Sequence, residues 1–184
     1  MKITKTFIQG LLIIEPLIFE DERGYFFESY NKIKYFQSGL DTEFIQDNES
    51  KSTKGVIRGL HYQLAPFAQS KLVRVVQGRI FDVAVDLRKG SPSYGKWFGL
   101  ELNDTDKKQF FIPRGFAHGF SVLSETAILS YKCDNVYKKE YERSVNFNDQ
   151  YLKIEWEIDP SNIIVSEKDK QAPFFENAEM NFIF

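Results

Sequence analysis

The sequence predicts an all-β barrel or sandwich with two short helices. Most of the 184 residues fall into short runs rich in Val, Ile, Phe and Tyr, the residue types that suit a pleated, half-buried surface. Turn signals separate the runs, at Gly90-Ser91-Pro92, Pro113-Arg114-Gly115 and Asp159-Pro160. Helical patterning is confined to two places. Many short strands at regular spacing in one chain build sandwiches and barrels.

In chain order, strands are expected over residues 7–14, 24–30, 97–102, 108–112, 119–122 and 127–133. The clearest strand signal is residues 71–86, where two β-rich runs meet at Gln77-Gly78. A two-residue loop there pairs Val73 with Asp82 and Lys71 with Ala84, so that all four share one face and Lys71 lies diagonal to Asp82. That face is either a solvated hairpin surface or a functional Lys–Asp pair. Helices are expected over residues 32–38, ended by Gly39, and 167–171, stopped by Pro173. No repeat, low-complexity run or linker interrupts the chain, so residues 1–184 read as a single domain.

Composition narrows the function. With 24 basic and 26 acidic residues the formal net charge is −2, which gives no reason to expect nucleic-acid or membrane binding. The single cysteine, Cys133, cannot form an internal disulfide and fits a reducing, cytoplasmic setting. The longest N-terminal apolar run, Leu11-Leu12-Ile13-Ile14, is far too short to span a bilayer. No glycine-rich loop opens a helix after a strand, which disfavours a dinucleotide or P-loop site. Two histidines without H-x-H or H-x-x-x-H spacing make a poor metal site. Cys133 lies in an apolar strand, a poor setting for a nucleophile. Acid–base chemistry without a cofactor is what remains.

The two histidines stand in unusual company. His61 lies in Gly55-Val56-Ile57-Arg58-Gly59-Leu60-His61-Tyr62-Gln63, and His118 in Pro113-Arg114-Gly115-Phe116-Ala117-His118-Gly119-Phe120. Imidazole titrates near neutrality and can take and return protons there. Each is equally readable as a histidine satisfied by backbone carbonyls. In a regular strand Arg58 and His61 point to opposite faces, so a shared cavity requires a bulge or bend near Gly59. Asp169 is a candidate orienter of His61, although Ser166-Glu167-Lys168-Asp169 also reads as a helix capping box. Tyr131 is either a phenolic proton donor or a core aromatic with a satisfied hydroxyl.

Taken together these segments resemble the dTDP-4-dehydrorhamnose 3,5-epimerase family. The likeness runs from Phe19-Glu20-Asp21-Glu22-Arg23-Gly24-Tyr25-Phe26-Phe27-Glu28-Ser29 through Gln46-Asp47-Asn48, Arg58-Gly59-Leu60-His61, Ala68-Gln69-Ser70-Lys71-Leu72-Val73-Arg74 and Phe81-Asp82-Val83-Ala84-Val85-Asp86. It continues through the His118 segment to Asp169. The order and spacing of these motifs make the likeness specific.

The resemblance implies a cupin-like jelly roll, also called a double-stranded β-helix barrel, that inverts C3 and C5 of dTDP-4-dehydro-6-deoxy-D-glucose in dTDP-L-rhamnose biosynthesis. It implies His61 as base with Asp169 behind it, Tyr131 as acid, and Lys71 at the substrate carbonyl with Asp82 supporting it. By the same resemblance Arg23, Arg58, Lys168 and His118 line the diphosphate and sugar region, and Phe26 and Tyr137 sandwich thymine. Glu28, Gln46, Asp47, Asn48 and Glu142 complete the substrate contacts. The segment carrying Arg23, Phe26 and Glu28 would cross to a second subunit, making a homodimer with shared sites. No metal or other cofactor is implied. Two positions depart from the family pattern: Arg114, where an acidic residue is common, and Val136, where a second aromatic is. An epimerase acting at C3 or C5 alone is the alternative; a non-catalytic sugar-nucleotide binder and a metal-dependent cupin enzyme are more distant ones.

Overall fold

Alternation of apolar and polar side chains needs two facing sheets to bury the apolar sets, and the computed structural model, which describes residues 1–184, has that form. The strands are β1 (Lys2–Lys5), β2 (Leu12–Glu15), β3 (Ile18–Asp21), β4 (Gly24–Phe27), β5 (Gln46–Thr53), β6 (Ile57–Gln63) and β7 (Lys71–Gln77). They continue with β8 (Arg79–Asp86), β9 (Trp97–Asn103), β10 (Gln109–Ile112), β11 (Phe116–Val122), β12 (Thr126–Cys133) and β13 (Glu142–Ser144). Two short helices join them, α1 (Lys32–Gln37) and α2 (Glu167–Lys170).

One sheet has the order β1-β2-β10-β7-β12-β5 and the other β13-β6-β11-β8-β9, while β3 and β4 form a separate two-stranded arm. Every strand pairing in these sheets is antiparallel. This is the jelly-roll arrangement. Val73, Val75, Ile80, Ala84, Phe110, Ile112, Phe120 and Leu129 fill one end of the space between the sheets. A second apolar cluster, including Leu60, Tyr62, Val85, Leu87 and Trp156, packs the later segments against β6 and β8.

The hairpin expected at Gln77-Gly78 does not form. β7 and β8 belong to different sheets: Val73 pairs with Phe110 and Tyr131, and Asp82 with Phe120 and Leu100. The turn is a corner where the chain changes sheets. Its Gly78 has φ +82°, and a Cβ there would lie 2.1 Å from the Thr126 carbonyl oxygen. The Gly78 N–H donates to Asp104 (2.7 Å) and that of Arg79 to Ser124 Oγ (2.8 Å), so neighbouring loops hold the corner. Strand pairing is set by contacts along the whole run, and these outweigh the local turn signal.

Other boundaries shift for local reasons. The strand expected over residues 7–14 begins only at Leu12, because Thr6 Oγ1 accepts from the Ile8 N–H and the Leu11 N–H donates to Ile8 O, curling the chain. The strand expected over residues 24–30 stops at Phe27. β11 starts at Phe116, three residues earlier than expected. The bend near Gly59 is present: the β6–β11 register shifts between His118 and Phe120, and Gly59 (φ +128°) faces Gly119 so closely that a Cβ would lie 2.5 Å from its Cα. No helix is long and apolar enough to cross a membrane.

Candidate active site

A cavity of about 270 Å³ opens between the two sheets. From the five-stranded sheet come His61 and Gln63 on β6 and Phe116 and His118 on β11; from the other come Lys71 on β7, Ile112 on β10, Gln46 and Asn48 on β5, and Tyr131 on β12. Tyr137 and Glu142 stand at its edge. His61 and His118 are direct cross-strand partners, which puts both imidazoles on one face.

Each imidazole holds a carboxylate. His61 Nε2 is 2.6 Å from Asp169 Oδ1. Ser166 caps α2 by accepting from the Asp169 N–H (3.1 Å), so Asp169 serves the helix start with its backbone and His61 with its side chain. The helix cap and the His61 contact therefore do not compete for the same atoms of Asp169. Burial works against charge on Asp169, yet hydrogen bonds from His61, the Gly59 N–H and Ser166 outweigh it and hold its carboxyl below the ordinary range. An ionised Asp169 keeps the proton on Nε2 of neutral His61, which leaves the lone pair on Nδ1.

His118 Nε2 lies 2.9 and 3.1 Å from the two oxygens of Asp82. Asp82 was expected to support Lys71 from the neighbouring strand of a hairpin. Instead, β8 pairs with β11, Ala84 lies opposite His118, and Asp82 is the diagonal neighbour two residues away on the same face. Burial drives the His118 pKa down, against the pull of Asp82. Lys71 faces this pair from the other sheet. The cavity admits solvent to it, but the protein around it lowers its ammonium pKa by desolvation, opposed by Cys133, Asp82 and Glu142. Its Nζ stands 5.8 Å from the centre of the Tyr131 ring. Burial raises the Tyr131 pKa, so the phenol keeps its proton at neutral pH.

At the mouth, Glu142 Oε2 accepts from Lys168 Nζ (2.6 Å) and from the Tyr137 hydroxyl (3.0 Å). Arg58 is outside the cavity lining, and its Nε donates to Ser52 Oγ on β5 (3.0 Å). Asp47 is not brought to the cavity: strand alternation turns it to the opposite face from Gln46 and Asn48, where it pairs with Lys132 (2.8 Å). Arg23, Phe26 and Glu28 sit on or just beyond the β3–β4 arm, away from their own chain's cavity, with Arg23 bound to Asp21 and Glu28 to Lys34. Arg114 pairs with Asp134 (2.9 Å), whose other oxygen accepts from the Ser70 N–H.

The sequence reading missed Tyr62, Gln63, Gln69, Ile112 and Phe116 as lining residues. Three of them had a usable signal, since Gln63, Gln69 and Phe116 each stand two positions from a motif residue (His61, Lys71 and His118). No group of three or more His, Cys, Asp or Glu side chains is placed to hold a metal ion. A larger depression of about 810 Å³ lies elsewhere, lined by Lys54, Arg79, Glu101 and Asp159 among others, and contains no histidine.

Known proteins share this sequence and fold. A family model described as dTDP-4-dehydrorhamnose 3,5-epimerase matches residues 5–177. A Shigella flexneri dTDP-4-dehydrorhamnose 3,5-epimerase is 52% identical over 97% of this chain and 98% of its own length. The crystal structure of the enzyme of that name from Elizabethkingia anophelis is 56% identical with a TM-score of 0.91, covering 96% of this chain and 97% of its own. A Legionella pneumophila dTDP-6-deoxy-D-glucose-3,5-epimerase, solved with dTDP-4-keto-L-rhamnose, is 47% identical with a TM-score of 0.92 and coverage of 96% and 93%. With this architecture, this cavity and this identity along nearly its whole length, the chain belongs to the dTDP-4-dehydrorhamnose 3,5-epimerase family of isomerases.

Proposed function

We propose that residues 1–184 act as one jelly-roll unit that converts dTDP-4-dehydro-6-deoxy-D-glucose to dTDP-4-dehydro-L-rhamnose. The observation that carries this reading is the pair of proton-transfer groups on different sheets of one cavity, His61 with Asp169 behind it and Tyr131 facing from β12. The C4 ketone acidifies the C–H bonds at C3 and C5. His61 Nδ1 takes a proton, and the electron pair moves into an enolate whose oxygen Lys71 stabilises once the bound sugar has displaced water from around it. Tyr131 then protonates the carbon from the other face, inverting it, and both side chains return to their starting states by exchange with solvent. The second carbon repeats the cycle. Protons balance without a redox partner, because the ketone supplies the acidity.

Neutral His118, its Nε2–H committed to Asp82, offers Nδ1 as an acceptor for a sugar hydroxyl. Arg58 and Lys168 serve the diphosphate, and Gln46, Asn48, Tyr137 and Glu142 the nucleotide. The exposed aromatic residues of the arm, Phe19, Tyr25 and Phe26, favour a homodimer in which Arg23, Phe26 and Glu28 complete the partner's site. Cys133 is a buried free thiol, which fits the cytoplasm.

Proton NMR of the substrate in D₂O tests the reading. Deuterium at both C3 and C5 is the expected result. Label at one carbon selects a single-site epimerase, and label at neither overturns the assignment.

A further inference from the structure

The segment that carries Tyr137 is held in an unusual way. Residues 136–140 are all exposed, and Tyr137 itself is 52% accessible, so apolar burial does little to fix them. Beneath them Gln63, 4% exposed on β6, spends its whole side-chain amide on backbone groups. Its Nε2 donates to Val136 O (3.1 Å) and Phe67 O (2.7 Å), and its Oε1 accepts from the Lys138 N–H (2.6 Å). The amide thus straddles Tyr137, meeting the carbonyl before it and the N–H after it as a neighbouring strand would. The backbone of Gln63 pairs in register with Glu142, and Glu142 accepts from the Tyr137 hydroxyl. The ring is therefore fixed at its root by the side chain of Gln63 and at its tip by the residue Gln63 pairs with.

We propose that Gln63 is a positioning residue: it pre-orders Tyr137 for the planar base of the nucleotide and ties that ring to the strand that carries His61. The inference rests on the reading of Tyr137 as a base-stacking residue. A half-exposed ring on an unpacked segment otherwise samples several rotamers, and ligand binding must bear the cost of ordering it. The clamp removes that cost before the ligand arrives. Its contribution belongs to binding of the nucleotide, not to proton transfer two residues away.

The test is a double-mutant cycle with Gln63→Met, nearly isosteric but unable to donate, and Tyr137→Ala. KM and kcat come from the exchange assay and the Kd for dTDP from calorimetry. Gln63→Met is expected to raise both KM and Kd about tenfold with kcat within about threefold, the scale of one or two lost hydrogen bonds. In the Tyr137→Ala background the same substitution adds less than about twofold, because its effect runs through the ring. Unchanged KM and Kd, a fall in kcat alone, or additive effects in the cycle would each overturn the proposal. Should Gln63→Met fail to fold, Gln63→Asn, too short to span both backbone groups, replaces it. A wild-type protein that binds dTDP but exchanges no deuterium would sink the epimerase assignment and leave the clamp to be judged by Kd.

Discussion

The two histidine–aspartate pairs of this protein share a chemistry and differ in almost everything around it. In one, the His61 side chain is 31% exposed to the cavity, and Asp169 arrives on a helix start far along the chain. In the other, the His118 side chain is 7% exposed, Asp82 is fully buried, and both sit on paired strands of the core. The open pair has room to meet a substrate proton and then exchange it with water. The closed pair is built into the packing, so its neutral, singly protonated imidazole is a fixed hydrogen-bonding element. A His–Asp contact alone therefore does not make a base; access and the route back to solvent do.

The sharpest way to break this division is His61→Asn. It should lower kcat on the order of 10²–10⁴-fold with the fold intact by circular dichroism, as expected for loss of a general base. Wild-type exchange rates would end the assignment. Tyr131→Phe should separate two events that His61→Asn abolishes together: deuterium still enters through His61 on its own face, while inversion falls on the order of 10²-fold. If exchange and inversion fall in parallel, Tyr131 is not the acid on the opposite face.

Asp82→Asn and Asp169→Asn sharpen the contrast between stability and rate. Asp82→Asn should destabilise the fold by about 1–3 kcal/mol by denaturant titration, through mispairing of a buried imidazole, with a smaller loss of kcat. Asp169→Asn should cost more rate than stability. The reverse order would exchange the roles of the two pairs.

The pairs should also separate along the pH axis. His118 has a folded pKa below its ordinary 6.5, so below about that pH the unfolded chain binds a proton the folded one resists. Its share of stability is lost as pH falls from there toward the folded value. Asp169 has a folded pKa below its ordinary 3.8, so its share is complete above that value and lost only as pH falls through the lower folded one. Melting temperature against pH should show both steps, with His118→Gln removing the upper and Asp169→Asn the lower. The smallest effect belongs to Arg114→Ala: the Arg114 side chain is half-exposed where it pairs with Asp134, and its loss should leave KM within about twofold.

The legibility of the sequence followed the same division. β9 and β12 announce themselves by apolar alternation because one of their faces is core, and β10 by a continuous apolar run buried on both faces. β5, Gln-Asp-Asn-Glu-Ser-Lys-Ser-Thr, carries no apolar signal and was not foreseen. Its inward side chains Gln46 and Asn48 face a polar cavity, so the property that hid the strand is the one that equips the site. The Gln77-Gly78 turn misled for a different reason. A tight turn fixes the direction of the chain locally, but which sheet receives the next strand depends on Ser124, Thr126 and Asp104, residues a local reading does not reach. The ordered motifs pointed to His61 and Asp169, while Gln63 was passed over because its side chain bonds to the backbone of other segments.

His61 and Asp169 stand 108 positions apart in the chain, yet their side chains meet at 2.6 Å. During synthesis, β6 leaves the ribosome long before α2, and until Ser166 caps that helix against the sheet the imidazole has no carboxylate behind it. The His61–Asp169 contact is thus a late product of folding. Epimerase activity then reports closure of the whole chain around the cavity, and a nick between β13 and α2 that lets the helix drift away should silence the enzyme while most of the sandwich stays intact.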